Sequence, residues 1–312
     1  MGEDSVRIFE VGPRDGLQNE SVILDVDRKV EMIERLVETG VRDIEFGSFV
    51  HPKWIPQMAD TEEVARRVTR REGVRYWGLV PNLVGLERAL EANTTHIATF
   101  MSASETHNQH NVNRTVDESL DCLKTAYETA NAEDVTIRAY VSTAFGCPYE
   151  GDVPFDRVLA IAETLLAQGA DMIALGDTIG AGTPHQVRDG ARRAIDAFGV
   201  DRVAMHLHDT QGMGLANALA AYQAGIRIFD TSVGATGGCP YAPGAAGNIA
   251  AEEMIHMFDG MGVDSGIDRD RLLEVAGWVD RETDIDLPSK LYQYTSQLEA
   301  AEDHSEETRA TA

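Results

Sequence analysis

The sequence predicts an α/β chain folded as a (β/α)8 TIM barrel with a C-terminal helical extension. Eight short β-branched runs recur along the chain, with helical stretches between them. Those repeats occupy about 250 residues, the usual size of such a barrel. Residues with chemically useful side chains also stand just after the strands, where a barrel builds its site. A doubly wound open sheet shows the same alternation. However, no GxGxxG follows the first run and no GxxxxGK[ST] occurs, so the nucleotide-binding variants lose support.

Strands are expected at residues 6–11, 41–46, 74–80, 95–100, 135–141, 172–175, 202–207 and 227–233. Between them, apolar residues fall at three- and four-residue spacing, as in Val30, Ile33, Leu36 and Val37. Pro154, Pro184 and Asp117 mark helix starts, where a fixed φ or a carboxylate helps. Gly40, Gly169 and Gly225 stand just past helix ends. Beyond residue 267 the pattern becomes two helical stretches, 269–281 and 289–301, expected to flank the barrel. The chain therefore divides into a catalytic barrel (1–266), flanking helices (267–301) and a polar tail (302–312) expected to fray.

With 43% hydrophobic residues among 312, the chain can bury one large core. Its formal net charge is −25, from 52 acidic and 27 basic residues. Only Lys29, Lys53, Lys124 and Lys290 are lysines. Such a surface repels phosphate backbones and anionic membranes, which argues against nucleic-acid and membrane partners. Acidic excess with few lysines suggests solubility in concentrated salt, where screening removes the self-repulsion. Cys122, Cys147 and Cys239 show no CxxC spacing, which disfavours a disulfide scaffold or a structural zinc site. The first ten residues are charged, and no run approaches the roughly 18 apolar residues of a membrane helix. A soluble protein of a cytoplasm rich in salt is the expectation.

The strongest local signal is His206-Leu207-His208-Asp209 at the end of the seventh strand. Side chains alternate along a strand, so both imidazoles share one face and can share one metal ion. Alone, HxH more often marks two hydrogen-bonding histidines. Asp15 after the first strand and Asn248 after the eighth shift the balance, because strands one, seven and eight adjoin in a closed barrel. A carboxylate, an amide oxygen and two imidazoles suit Mg2+ or Mn2+. Arg14, in Gly12-Pro13-Arg14-Asp15-Gly16-Leu17-Gln18, could offset charge developing on an enolate oxygen. Glu45 and Asp177 place further carboxylates after strands, although each alone suits a helix cap or ion pair. The segment Gly237-Gly238-Cys239-Pro240-Tyr241-Ala242-Pro243-Gly244 has the composition of a lid. Cys239 could act there as a thiol, although most lone cysteines are inert. Cys147 reads as structural and Cys122 as helix core.

These residues resemble the 3-hydroxy-3-methylglutaryl-CoA lyases, within the metal-dependent TIM-barrel lyases and synthases. The resemblance runs from about residue 6 to 300 and rests on five segments. They are Glu10 to Glu20, Pro52-Lys53-Trp54-Ile55-Pro56-Gln57-Met58, Gly176-Asp177-Thr178-Ile179-Gly180, His206 to Thr210 and Gly237 to Ala242. It implies Asp15, His206, His208 and Asn248 as ligands of a divalent metal, Mg2+ or Mn2+. It also implies Arg14 as the group steadying a thioester enolate, with Gln18 beside it on the substrate. Glu45 and Asp177 become site carboxylates, Cys239 the lid thiol and Glu252 a supporting residue one helical turn beyond Asn248. The implied reaction is retro-Claisen cleavage of an acyl-CoA thioester to acetoacetate and acetyl-CoA, in a homo-oligomer, implied to be a dimer. Asp177, a histidine and metal-bound water all remain open as the base. Two rival enzymes are a lyase for a longer-chain relative of the thioester and a Claisen-type synthase joining acetyl-CoA to a 2-oxo acid. The cysteine-bearing loop favours the lyase.

Overall fold

The computed structural model describes residues 5–237 and 247–310, apart from the side chains of 299 and 302–310. Eight parallel strands close in sequence order into one barrel. They are β1 (Arg7–Glu10), β2 (Asp43–Ser48), β3 (Arg75–Leu79), β4 (His96–Ser102), β5 (Thr136–Ser142), β6 (Met172–Asp177), β7 (Val203–Leu207) and β8 (Ile228–Thr231). Closure is made by β1 against β8, with Arg7 opposite Ile228 and Glu10 opposite Thr231. All eight lie within or overlap the predicted runs.

The helices are α1 (Val26–Glu38), α2 (Thr61–Arg67), α3 (Leu83–Glu91), α4 (Glu105–Val112), α5 (Val116–Ala132), α6 (Phe155–Gln168), α7 (Pro184–Phe198) and α8 (Gly214–Ala224), followed by α9 (Ala251–Gly260), α10 (Arg269–Thr283) and α11 (Lys290–Ala310). Pro154 caps α6 and Pro184 opens α7. Gly169 and Gly225 end α6 and α8 in the left-handed region, where glycine carries no Cβ penalty. Asp117 lies in the first turn of α5 rather than at its cap. Thr115 takes the cap, because its hydroxyl accepts from Glu118 N–H while the Glu118 carboxylate accepts from Thr115 N–H. The final helix runs from Lys290 through Ala310, past the predicted end at 301. Alanine and glutamate along that stretch are good helix formers.

Two apolar layers follow from the strand period. Val203, Met205 and Leu207 of β7 face outward into the large core shared with the helices. Ala204 faces inward, where Phe9, Trp77, Ala98, Ala174 and Ile228 form a small central cluster. The amino-terminal end of the barrel is plugged by Asp43, which accepts hydrogen bonds from Arg7, Arg75 and the Trp77 indole. The carboxyl-terminal end stays open. Small residues on β4, β6 and β7 leave room above the plug, and the polar inward positions sit there. Among the described residues, no helix is long and apolar enough to cross a membrane.

Candidate metal centre and active site

Immediately after β1 the chain makes a wide turn in which the N–H groups of Arg14, Asp15 and Gly16 all converge on the Val11 carbonyl. This turn presents Arg14 and Asp15 together at the open end of the barrel. Gly16 and Gly237 make the approach possible. A Cβ on Gly237 would meet Asn248 Nδ2 and Gly16 Cα at 2.9 Å each, and its φ of +91° is itself a glycine conformation. That contact brings the turn after β1 against the segment leading from β8 to Asn248.

His206 and His208 share the inward face of the β7 end, and their Nε2 atoms lie 3.1 Å apart. One ligand atom each from Asp15, His206 and His208 lies within 4.8 Å of the other two. Asn248, paired with His208 through a backbone bridge, donates its amide to Asp15 Oδ2 at 2.9 Å and to the Thr236 carbonyl at 3.2 Å. Turning that amide over would present its oxygen instead. Two imidazoles and a carboxylate converging on one point, with an amide at its edge, fit a divalent cation.

The electrostatics agree with that donor set. Burial acts to raise the Asp15 carboxyl, but Arg14, His206 and His208 outweigh it and hold the group well below the usual carboxylate range. Burial and the neighbouring His206 push His208 down to about 4, leaving it a neutral imidazole. His206 moves the other way. Burial lowers it, yet its hydrogen bond to Asp230 and the charges of Asp230 and Asp15 raise it overall.

Behind these groups lies a buried polar layer in which Asp230, Arg138 and Tyr140, none of them expected from the sequence, join Glu45. His206 Nδ1 is 3.0 Å from Asp230 Oδ2, which orients the ring as second partners of metal-binding histidines do. Arg138 pairs with the other Asp230 oxygen. The Tyr140 hydroxyl lies 2.6 Å from Glu45 Oε1 and 3.0 Å from Asp230 Oδ2. Arg138 and Tyr140 alternate inward on β5, a period-two pattern that could have flagged them once β5 was assigned.

Arg14 is buried. Its guanidinium is gripped by Glu45 Oε2, at 2.6 Å from Nε and 2.5 Å from Nη2, and by Asp15 through Nη1. Glu45 therefore stands behind Arg14 and away from the open rim. Gln18 lines the cavity with its amide 3.4 Å from Asp15 Oδ1.

Two further predicted carboxylates are not brought to the cavity. Asp177 accepts hydrogen bonds from the Ala181 and Gly182 amides, and burial, opposed by those amides, raises it to about 6. Its neighbours Gly176 and Thr178 line the cavity while its own side chain does not, because successive strand residues point to opposite faces. Asp177→Asn is expected to lower activity by loosening this loop while leaving the acidic limb of the kcat–pH profile in place. Loss of that limb would make Asp177 the base.

Glu252, in the first turn of α9, accepts from the Gly234 amide at 3.1 Å. Glu10 accepts from the Gly12 and Val233 amides at 2.9 Å each. Both hold the loops that carry the site from behind. Burial raises Glu10 to about 8 and Glu252 to about 7, with the charge of one adding to the other at Glu10. A carboxyl raised in the fold stabilises it fully below its unfolded value and loses that contribution as pH rises through the folded value. The thermal midpoint should therefore fall between about pH 5 and pH 8, and Glu10→Gln should flatten that fall. An unchanged slope in a melting series would remove Glu10 as its source.

Cys147 is buried, with its Sγ 3.0 Å from Ser104 Oγ, in keeping with a structural role. Cys122 is half-buried on α5, short of the core position expected, since it sits at the edge of the helix's apolar stripe. Of the expected lid, 237–244, only Gly237 is among the described residues; Cys239 and the other lid positions lie outside them.

The site opens into a cavity of about 670 Å3 that runs outward past Phe100 to Trp54 and Arg114. Among the described residues, Asp15 is the only carboxylate in its wall, in a chain with 52 acidic residues. The acidic surface thus leaves this mouth free for an anion.

A family model described as HMGL-like matches residues 5–279. The hydroxymethylglutaryl-CoA lyase YngG of Bacillus subtilis is 46% identical over 288 residues, covering 92% of this chain and 96% of that protein. The crystal structure of the Bacillus subtilis HMG-CoA lyase superposes with a TM-score of 0.92 at 45% identity, over 94% of this chain and 98% of that one. An HMG-CoA lyase from Acinetobacter baumannii, solved with coenzyme A and 3-methylmalate, gives 0.90 at 38% identity, over 94% and 96%.

Proposed function

Because this chain belongs to the HMGL-like family, we propose that it cleaves 3-hydroxy-3-methylglutaryl-CoA to acetoacetate and acetyl-CoA with the aid of a divalent cation. The observation that carries this reading is the convergence of Asp15, His206 and His208 beside a buried Arg14, at the floor of a cavity open to solvent. Those three residues and Asn248 would hold the cation. When bound, it supplies Lewis acidity toward the hydroxyl and carboxylate oxygens of the substrate.

The chain's own residues provide the rest. A base takes the carbinol hydroxyl proton, the carbinol carbon becomes the ketone of acetoacetate, and the broken bond to the thioester arm leaves its electron pair on the acetyl-CoA side, as an enolate. Arg14 is held rigid by Glu45 and Asp15, so its positive charge is already in place when that negative charge develops. Gln18, bonded to Asp15, stands next to it. Asp230 holds the His206 ring by Nδ1, which leaves Nε2 directed at the cation position. The new methyl group of acetyl-CoA then needs one proton, and Cys239 is the donor we assign. Cys239→Ala should slow turnover at least about tenfold while sparing metal binding. An unaffected rate would reduce Cys239 to packing. Toward solvent, the exposed Trp54 indole and Arg114 suit the base and phosphates of a coenzyme A thioester.

The test is release of acetoacetate and acetyl-CoA with Mg2+ or Mn2+ and with a chelator control. It is run at both low and molar salt, because the charge of −25 favours screening ions. Cation-dependent release establishes the reaction. No cleavage by folded, cation-loaded protein overturns it and directs attention to longer-chain thioesters.

A further inference from the structure

We propose that Tyr140 is a positioning residue whose hydroxyl couples the guanidinium side of the site to its imidazole side. The proposal rests on the reading of the site given above. It starts from one geometric fact: two buried carboxylates with different duties meet at a single phenol. Glu45 uses Oε2 to hold Arg14 and turns Oε1 to Tyr140 at 2.6 Å. Asp230 uses Oδ2 to hold His206 and brings that oxygen within 3.0 Å of the same hydroxyl.

A phenol has one proton and two lone pairs. Arg138 Nη1 donates to its oxygen at 2.9 Å, so the proton is free to serve a carboxylate. Arg138 alone could not replace this link, because its guanidinium engages Asp230 but stays 3.9 Å from Glu45. Without the hydroxyl, Glu45 Oε1 and Asp230 Oδ2 would confront each other across a dry layer, and each would be drawn from the group it orients. The ring adds a second tie. It lies 5.7 Å from the Arg14 guanidinium carbon and edge-on to His206, with centroids 5.5 Å apart. Tyr140 also lines the cavity, while its hydroxyl is turned onto the buried carboxylates. Burial raises that hydroxyl well above the ordinary phenol range, and its single proton serves Glu45 or Asp230, one at a time.

The experiment is Tyr140→Phe, which keeps the ring and deletes only the hydroxyl. Three readouts are followed: Mn2+ titration without substrate, kcat and KM measured separately, and a double-mutant cycle with Glu45→Gln. If Tyr140 couples the two sides, kcat and Mn2+ affinity each fall roughly 10- to 100-fold, the range for partners of metal ligands. KM for the thioester moves less than about threefold, and Tyr140→Phe added to Glu45→Gln costs far less than it does alone. Undiminished Mn2+ affinity overturns the proposal, and so do losses that simply multiply in the cycle, which would mean that Tyr140 meets the substrate directly. Should Tyr140→Phe fail to fold, the double variant, which removes one of the facing charges, must recover the fold; failure to do so also overturns it. The Mn2+ titration needs no thioester, so it tests the coupling even if the assigned substrate is wrong.

Discussion

Asp15→Ala is expected to lower kcat/KM by at least about a thousandfold, the equivalent of several kcal/mol of charge stabilisation, and to abolish Mn2+ binding. Asp15 does three things at once. It is the only anionic member of the candidate ligand set, it anchors Asn248 through Oδ2, and it braces Arg14 through Oδ1. The barrel should nevertheless remain folded, because Asp15 sits at the solvent-open mouth and buries no apolar surface. Steady-state kinetics, Mn2+ titration and melting on one preparation separate these effects. Normal turnover in this variant, or in His208→Ala, would defeat the metal assignment.

Arg14→Gln has the second-largest expected effect and a different signature. Loss of a rigid charge aimed at a developing enolate should cost about 100- to 1000-fold in kcat. Mn2+ binding should survive, because all the candidate ligands remain. Stability should fall as well. Glu45 is fully buried, and a buried carboxylate stripped of its cation costs about 3–5 kcal/mol. Combining Arg14→Gln with Glu45→Gln should restore the melting temperature without restoring turnover. If the double variant recovered activity, Arg14 would be structural and its catalytic assignment would be lost.

Parts of this site are legible in the sequence for a simple reason. The strand period of two places His206 and His208 on one face whatever the rest of the chain does. The order of strands in a closed barrel likewise makes β1, β7 and β8 neighbours, so Asp15 and Asn248 could be assigned to the same rim before any coordinates. Glu45, Asp177 and Glu252 were less legible. Glu45 lies within β2, Asp177 ends β6 and Glu252 opens α9, and all three carry the right chemistry, but a carboxylate at such a position can face the cavity, grip an arginine or hold loop amides. Only the packed positions of Arg14, Ala181, Gly182 and Gly234 separate those uses.

By itself, the sequence determined the barrel, the family, and the imidazole, carboxylate and guanidinium groups offered at its mouth. Alternation and strand order are local rules that need no knowledge of distant contacts. Tertiary structure alone decided the layer beneath. Glu45, Arg138, Tyr140 and Asp230 come from β2, β5 and β8, with 95 positions separating the bonded Glu45 and Tyr140 and 92 separating Arg138 and Asp230. Apart from the period-two pairing of Arg138 with Tyr140 on β5, nothing along the chain marks these residues as partners. Closing the barrel brings these groups together where they are buried from solvent, and there each must pair or pay its desolvation cost. That requirement turns four scattered polar residues into the support of the active site.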